Sequence, residues 1–169
     1  MSEIVNRVAN SPIISIDLEK FYNEKERVVF DLKGYLFQEM VLKEKDFRKS
    51  MKEINWEEFE GKLVAVNCSI DAIIPTWAYM LVVTYLEGVA DRVIVGNLEA
   101  LEQALFQEAL SKLNPDDYQD KPVVVKGCSK FPVPIFAYGE IVKILKGKAK
   151  SIMYGEPCST VPLYKKPRG

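Results

Sequence analysis

Three cysteines stand in the same dipeptide: Cys68-Ser69, Cys128-Ser129 and Cys158-Ser159. Each follows a run suited to a buried strand: Val64-Ala65-Val66, Val123-Val124-Val125 and Ile152-Met153-Tyr154. Thiolate is the metal-binding and nucleophilic form of cysteine. Cys68, Cys128 and Cys158 are therefore a candidate ligand set for zinc or an iron–sulfur cluster, whose usual complement is four cysteines. Asp71 and Glu156, on the same loops, are candidate further ligands. The chain has no histidine. That removes Ser-His-Asp and Cys-His catalysis and every zinc site that needs imidazole.

Two other readings use the same residues. A thiolate near a helix N-terminus is acidified and reactive, which would make the chain a cysteine-dependent enzyme or a sulfur carrier. Lys126 and Lys130 flank Cys128 and would assist. Without histidine the base would be Asp71, Glu156, Glu140 or a lysine. No cysteine starts a Cys-x5-Arg phosphate loop, since Ile74, Pro134 and Tyr164 stand at the sixth position. In the third reading the cysteines are small buried hydrophobes and the chain is an interaction module. The residues leave open whether it is an enzyme.

The elements that must carry these loops alternate. Strands are expected at residues 62–66, 92–95, 122–126 and 149–154, with helices at 75–86, 98–113 (capped by Asn97) and 134–145. This predicts an α/β fold: a four-stranded, mostly parallel core sheet with flanking helices. Residues 161–164 are a candidate further strand. In the first part, strands are expected at 13–18, 27–32 and 35–42, followed by an amphipathic helix over 43–54 burying Phe47, Met51 and Ile54. They form an N-terminal β-rich layer. The expected organisation is a single domain over 1–169, with 1–60 as that layer and helix and 61–169 as the α/β core. No internal repeat longer than the Cys-Ser pairs is evident.

In the common strand order 2-1-3-4 the three cysteine-bearing ends are neighbours. The outer two would lie about 10 Å apart, whereas thiolates on one zinc lie within about 4 Å of each other. That spacing favours a cluster over a single ion. Asp71 is expected to cap the following helix, and Trp77 and Tyr79 to pack on the sheet.

The 169 residues, 48% hydrophobic and 28% charged, suit one globular domain with a real core. With 23 basic and 24 acidic residues there is no charge surplus for holding a nucleic acid. Neither Gly-x-Gly-x-x-Gly nor a Walker A pattern occurs, so no nucleotide cofactor is expected. The longest apolar stretch, residues 78–86, is too short for a bilayer. The N-terminus lacks a basic start before an apolar run. A cytoplasmic location without a disulfide framework or a membrane association is expected.

Residues 67–80, Lys126-Gly127-Cys128-Ser129 and residues 155–162 resemble domain-of-unknown-function family 2480. The opening Glu3-Ile4-Val5-Asn6-Arg7-Val8-Ala9 and residues 42–48 resemble it too, so the similarity covers nearly the whole chain. That family has no established activity. Through gene neighbourhood the resemblance implies an accessory role in iron–sulfur assembly, with assembly proteins as partners.

Overall fold

Two apolar runs near the N-terminus end in Asp-Leu, and both become strands stopped by that aspartate. In β1 (Ile14–Asp17) the Asp17 Oδ1 accepts the Glu19 N–H at 3.0 Å. In β2 (Arg27–Asp31) the Asp31 Oδ1 accepts the Lys33 N–H at 2.9 Å. Each bond starts a short 3-10 turn, Leu18–Phe21 and Leu32–Tyr35, whose leucine is fully buried. The remaining elements are α1 (Glu44–Glu53), β3 (Leu63–Asn67), α2 (Thr76–Leu86), β4 (Arg92–Val95), α3 (Leu98–Ser111), β5 (Pro122–Lys126), α4 (Ile135–Leu145), β6 (Ser151–Glu156) and β7 (Ser159–Lys165), with two further 3-10 turns at Trp56–Phe59 and Pro115–Tyr118. The computed structural model describes residues 12–127, 130–156 and 158–169; Cys128, Ser129, Pro157 and the opening segment lie outside the described residues.

The strands form two sheets, ordered β1-β5-β6-β7 and β2-β3-β4. Every pairing is parallel except β6 with β7. The chain is thus α/β, with a four-stranded, mostly parallel sheet and flanking helices. It falls into two compact units: a middle unit, Glu24–Ala104, and a terminal unit made of residues up to Asn23 with Leu105–Gly169. The order 2-1-3-4 does not form. β3 lies between β2 and β4, and β5 between β1 and β6. The N-terminal strands take the edges of β3 and β5 that a single sheet would have joined to each other.

The strand expected at 35–42 is also replaced. Residues 32–35 are in the 3-10 turn, and Val41 makes only isolated bridges, antiparallel to Phe37 and parallel to Ile73. Gln38 and Glu39 take φ of 51° and 56°, which an extended strand cannot continue. Other local signals hold. Asn97 caps α3 through the Ala100 N–H at 2.9 Å. Pro134 and Pro75 stand at the N-caps of α4 and α2. No helix among the described residues is long and apolar enough to cross a membrane.

The two units repeat one another, which the sequence reading missed. At a constant offset of 59 positions, Lys62 matches Lys121, Pro75 Pro134, Ala78-Tyr79 Ala137-Tyr138, Gly88 Gly147 and Gly96 Gly155. The strand register repeats as well: Val64 is opposite Val28 and Val93, and Val123 is opposite Ile14 and Ile152. The cores correspond position by position. Phe47, Met51, Ala78, Val82 and Leu86 fill the middle unit, and Phe106, Leu110, Ala137, Ile141 and Leu145 fill the terminal one. Phe30 and Leu32 on the N-terminal side of the middle unit correspond to Ile16 and Leu18.

Candidate functional site

The cysteine loops leave the C-terminal ends of parallel strands, where open α/β sheets usually carry their sites. Cys68 follows β3 directly. It is half-buried and packs on the core of the middle unit. Its loop is tied back to β2, because the Ser69 N–H donates to Asp31 Oδ1 at 3.1 Å. Partial desolvation pushes the Asp31 carboxyl up. Hydrogen bonds from the Ser69 hydroxyl and from the Lys33 and Ser69 N–H groups, with the Lys33 charge, outweigh it and hold the carboxyl below its usual value. On α2, burial raises the Tyr79 phenol, and the neighbouring Cys68 raises it further. Beside Cys68, the Asn67 Oδ1 is buried and has no hydrogen-bond partner among the described residues.

Asp31→Ala is expected to cost about 1–2 kcal/mol, by leaving the Lys33 and Ser69 N–H groups without their acceptor. A carboxyl whose folded pKa is depressed stabilises fully above its unfolded value and loses that contribution as pH falls through the folded one. In the parent chain, protection of the Ser69 amide should therefore hold at neutral pH and fade only below the ordinary Asp range. In the variant it should be weak throughout. Hydrogen exchange at Ser69 across pH checks both.

In the terminal unit β5 ends at Lys126, followed by Gly127; Cys128 and Ser129 are outside the described residues. The loop is anchored where it resumes. Glu19 Oε1 accepts the Lys130 N–H at 2.5 Å and the Phe131 N–H at 3.0 Å, and the Phe131 ring stacks on Tyr22 at 4.7 Å. A methyl group at Gly127 would come within 2.7 Å of the Tyr138 hydroxyl. By the repeat, Gly127 occupies the position of Cys68, and Cys128 that of Ser69. The Cys-Ser pairs of the two units are thus one residue out of register.

The third cysteine sits at a hairpin tip. Gly155 pairs with Thr160 and Glu156 with Ser159, so the β6–β7 connection is Pro157-Cys158, and Cys158 is exposed. β6 is the parallel neighbour of β5, with Val125 opposite Tyr154. Lys126 and Glu156, at the ends of these two strands, approach to 3.6 Å between Nζ and Oε2.

The candidate residues therefore divide. Cys158 and Glu156 belong to the β6–β7 hairpin of the terminal unit, Cys128 lies outside the described residues two positions after β5, and Cys68 and Asp71 belong to the middle unit. Among the described residues, which exclude Cys128, no group of three or more Cys, Asp or Glu side chains could hold a metal ion. Asp71 is exposed and does not cap α2, whose N-cap is Pro75 without a side-chain cap. Trp77 packs as expected, edge-on to Phe47 at 5.9 Å. Asp31 and Glu19, which hold the loops, were missed. Their signal is the Asp-Leu that closes each N-terminal strand.

A family model described as Protein of unknown function (DUF2480) matches residues 2–166. No curated protein and no solved structure matches the chain.

Proposed function

The chain belongs to the DUF2480 family of proteins of unknown function, and from that premise we propose that it binds a metal ion or an iron–sulfur cluster through the thiolates of Cys68, Cys128 and Cys158. The observation that carries this is the adjacency of β5 and β6. Loops leaving neighbouring parallel strands start about 4.8 Å apart, and each of these two carries a cysteine within two residues of its strand. Exposure of Cys158 leaves its thiol free to turn toward a ligand. Cys68, from the middle unit, is the third thiolate. The donor set fits zinc or a cluster, both of which take thiolates without imidazole. Asp71 or Glu156 would complete it, Glu156 by giving up Lys126.

Free thiols suit a reducing compartment such as the cytoplasm. In the accessory role proposed here the bound group is cargo, passed to or from iron–sulfur assembly proteins. The test is thiol protection. Reduced protein is alkylated without oxygen, before and after loading with zinc or with ferrous iron and sulfide, and each cysteine is followed by mass spectrometry. Slowing of all three by tenfold or more is expected. Protection of none removes the proposal, and protection of Cys128 and Cys158 alone removes Cys68 from it.

A further inference from the structure

The repeat exposes one difference between the units that thiol chemistry does not touch. After Gly155 the chain makes a hairpin, and β7 closes the outer edge of β6. After Gly96, the equivalent residue, Asn97 caps α3 and the chain turns into a helix instead. The outer edge of β4 is left without a strand among the described residues.

That edge is built for pairing. The Gly96 N–H is spent on Val66 O at 2.8 Å and the Arg92 N–H on Lys62 O at 3.4 Å. A parallel ladder uses alternate residues toward one neighbour, so the main-chain groups of Val93 and Val95 face outward. Their counterparts Ile152 and Tyr154 pair with Tyr164 and Val161 of β7. The groove beside the edge is repeated too. Thr76, Tyr79, Val83 and Val95 line it in the middle unit, and Ile135, Tyr138, Val142 and Tyr154 in the terminal unit. In the terminal unit β7 adds Val161 and Leu163 to that groove. In the middle unit Met80 is 64% exposed and Val95 54%. Natural edge strands are commonly guarded by lysine, proline or a bulge. Arg92-Val93-Ile94-Val95 has no lysine, proline or bulge; its guards are its four-residue length and the charge of Arg92 at one end, and Val93 to Val95 carry none.

We propose that β4 pairs antiparallel with β4 of a second copy of this chain, about a two-fold axis through Ile94. The sequence is self-complementary in that register. Ile94 meets itself, Val93 meets the partner's Val95, and Arg92 meets the partner's Gly96, so no like charges oppose. The outward-facing residues Val93 and Val95 then form the hydrogen-bonded pairs, and β-branched residues opposite each other stabilise such a ladder. Both grooves lie on one face of the joined sheet, flanking the new pair of strands. The contact is isologous and closes at two copies. With about four ladder bonds it is small, and the dimer should dissociate in the micromolar range or weaker, on the order of other low-area interfaces.

Light scattering on a sizing column over a concentration series tests this with the full chain. Concentration-dependent dimerisation is expected, and Val95→Lys should weaken it tenfold or more while leaving the circular dichroism unchanged, because Val95 is exposed. Ile94→Cys provides an independent arm. Non-hydrogen-bonded antiparallel partners have Cα atoms about 4.5 Å apart, within disulfide range. Mild oxidation should link Ile94→Cys chains into dimers well ahead of Val161→Cys chains. A chain monomeric at its highest soluble concentration overturns the proposal. So does a dimer that survives Val95→Lys or fails to cross-link through position 94. A synthetic peptide with the sequence of residues 159–165 that binds a chain unable to self-associate would show that the edge takes a foreign strand, and would overturn it too.

Discussion

Phe106→Ala is expected to destabilise the terminal unit by about 3–5 kcal/mol, and Phe47→Ala the middle unit by the same order. Phe106 is fully buried and Phe47 is 1% exposed. They stand at equivalent positions of α3 and α1, each four residues before a buried apolar partner, Leu110 and Met51. Truncation removes a ring from water-free packing and leaves a cavity that β strands on one side and a helix on the other cannot close. Phe47 adds edge contacts, at 6.3 Å to Tyr35 and 5.9 Å to Trp77. Met80→Ala is the control, because an exposed side chain should change stability by no more than about 0.5 kcal/mol. Denaturant unfolding followed by amide exchange within each unit reads the two losses separately. A loss below about 1 kcal/mol at either phenylalanine would contradict the equivalence of the cores.

Gly155→Ala should cost about 2–3 kcal/mol, from left-handed backbone strain with a backbone clash. Gly155 has φ of 120°, and an added Cβ would lie 2.7 Å from the Ser159 carbonyl oxygen. That oxygen belongs to the opposing strand of the hairpin, so relief requires β6 and β7 to part. The hairpin carries Cys158, so the same substitution should lower amide protection across β6 and β7 and displace the thiol. Gly96→Ala should cost less. Its φ of 154° is nearer extended backbone; Ile94 Cδ1 at 3.1 Å can turn away, and only Ala100 Cβ at 2.9 Å, fixed to the α3 backbone, has to shift. Melting midpoints of the two variants and exchange rates over β6 and β7 check the ranking; equal losses would contradict it.

Much of the local structure is legible in the sequence. The Val-rich runs that become β3 and β5, the prolines before α2 and α4 and the Asn97 cap are short-range signals set by residues within a turn of each other. The partner of a strand is not short-range. β1 pairs with β5, Ile14 opposite Val123, across the entire middle unit. Nothing in Ile14-Ser15-Ile16-Asp17 distinguishes that edge from the edge of β3. The repeat is hidden for a related reason. Its identities are scattered, mostly on glycines, prolines and small residues with Lys62 and Tyr79 beside them, while core positions exchange Val82 for Ile141 or Met51 for Leu110. Such exchanges preserve apolar burial but not spelling.

The candidate site is legible as loops, not as geometry. All three cysteines follow strands, as their flanking sequence indicates, but the assumed strand order placed them in one sheet. The two sheets divide them between units. Repetition of Cys-Ser suggested equivalent positions, yet Cys68 aligns with Gly127 and Cys128 with Ser69. Dipeptides record composition; the register of β3 and β5 against their neighbours decides equivalence. The Asp-Leu signal marks the turns at Asp31 and Glu19, but not their tethers, because each spans from an N-terminal turn to a loop far along the chain.

Iron, zinc and acid-labile sulfide should be quantified in the full chain purified and kept without oxygen, beside a variant with Cys68, Cys128 and Cys158 all replaced by serine. Thiolate ligation predicts about one ion or cluster per chain in the parent and none in the variant, with the same circular dichroism for both. A metal-free parent that gains neither stability nor absorbance when metal is added would contradict it, as would metal content unchanged by removal of the three thiols.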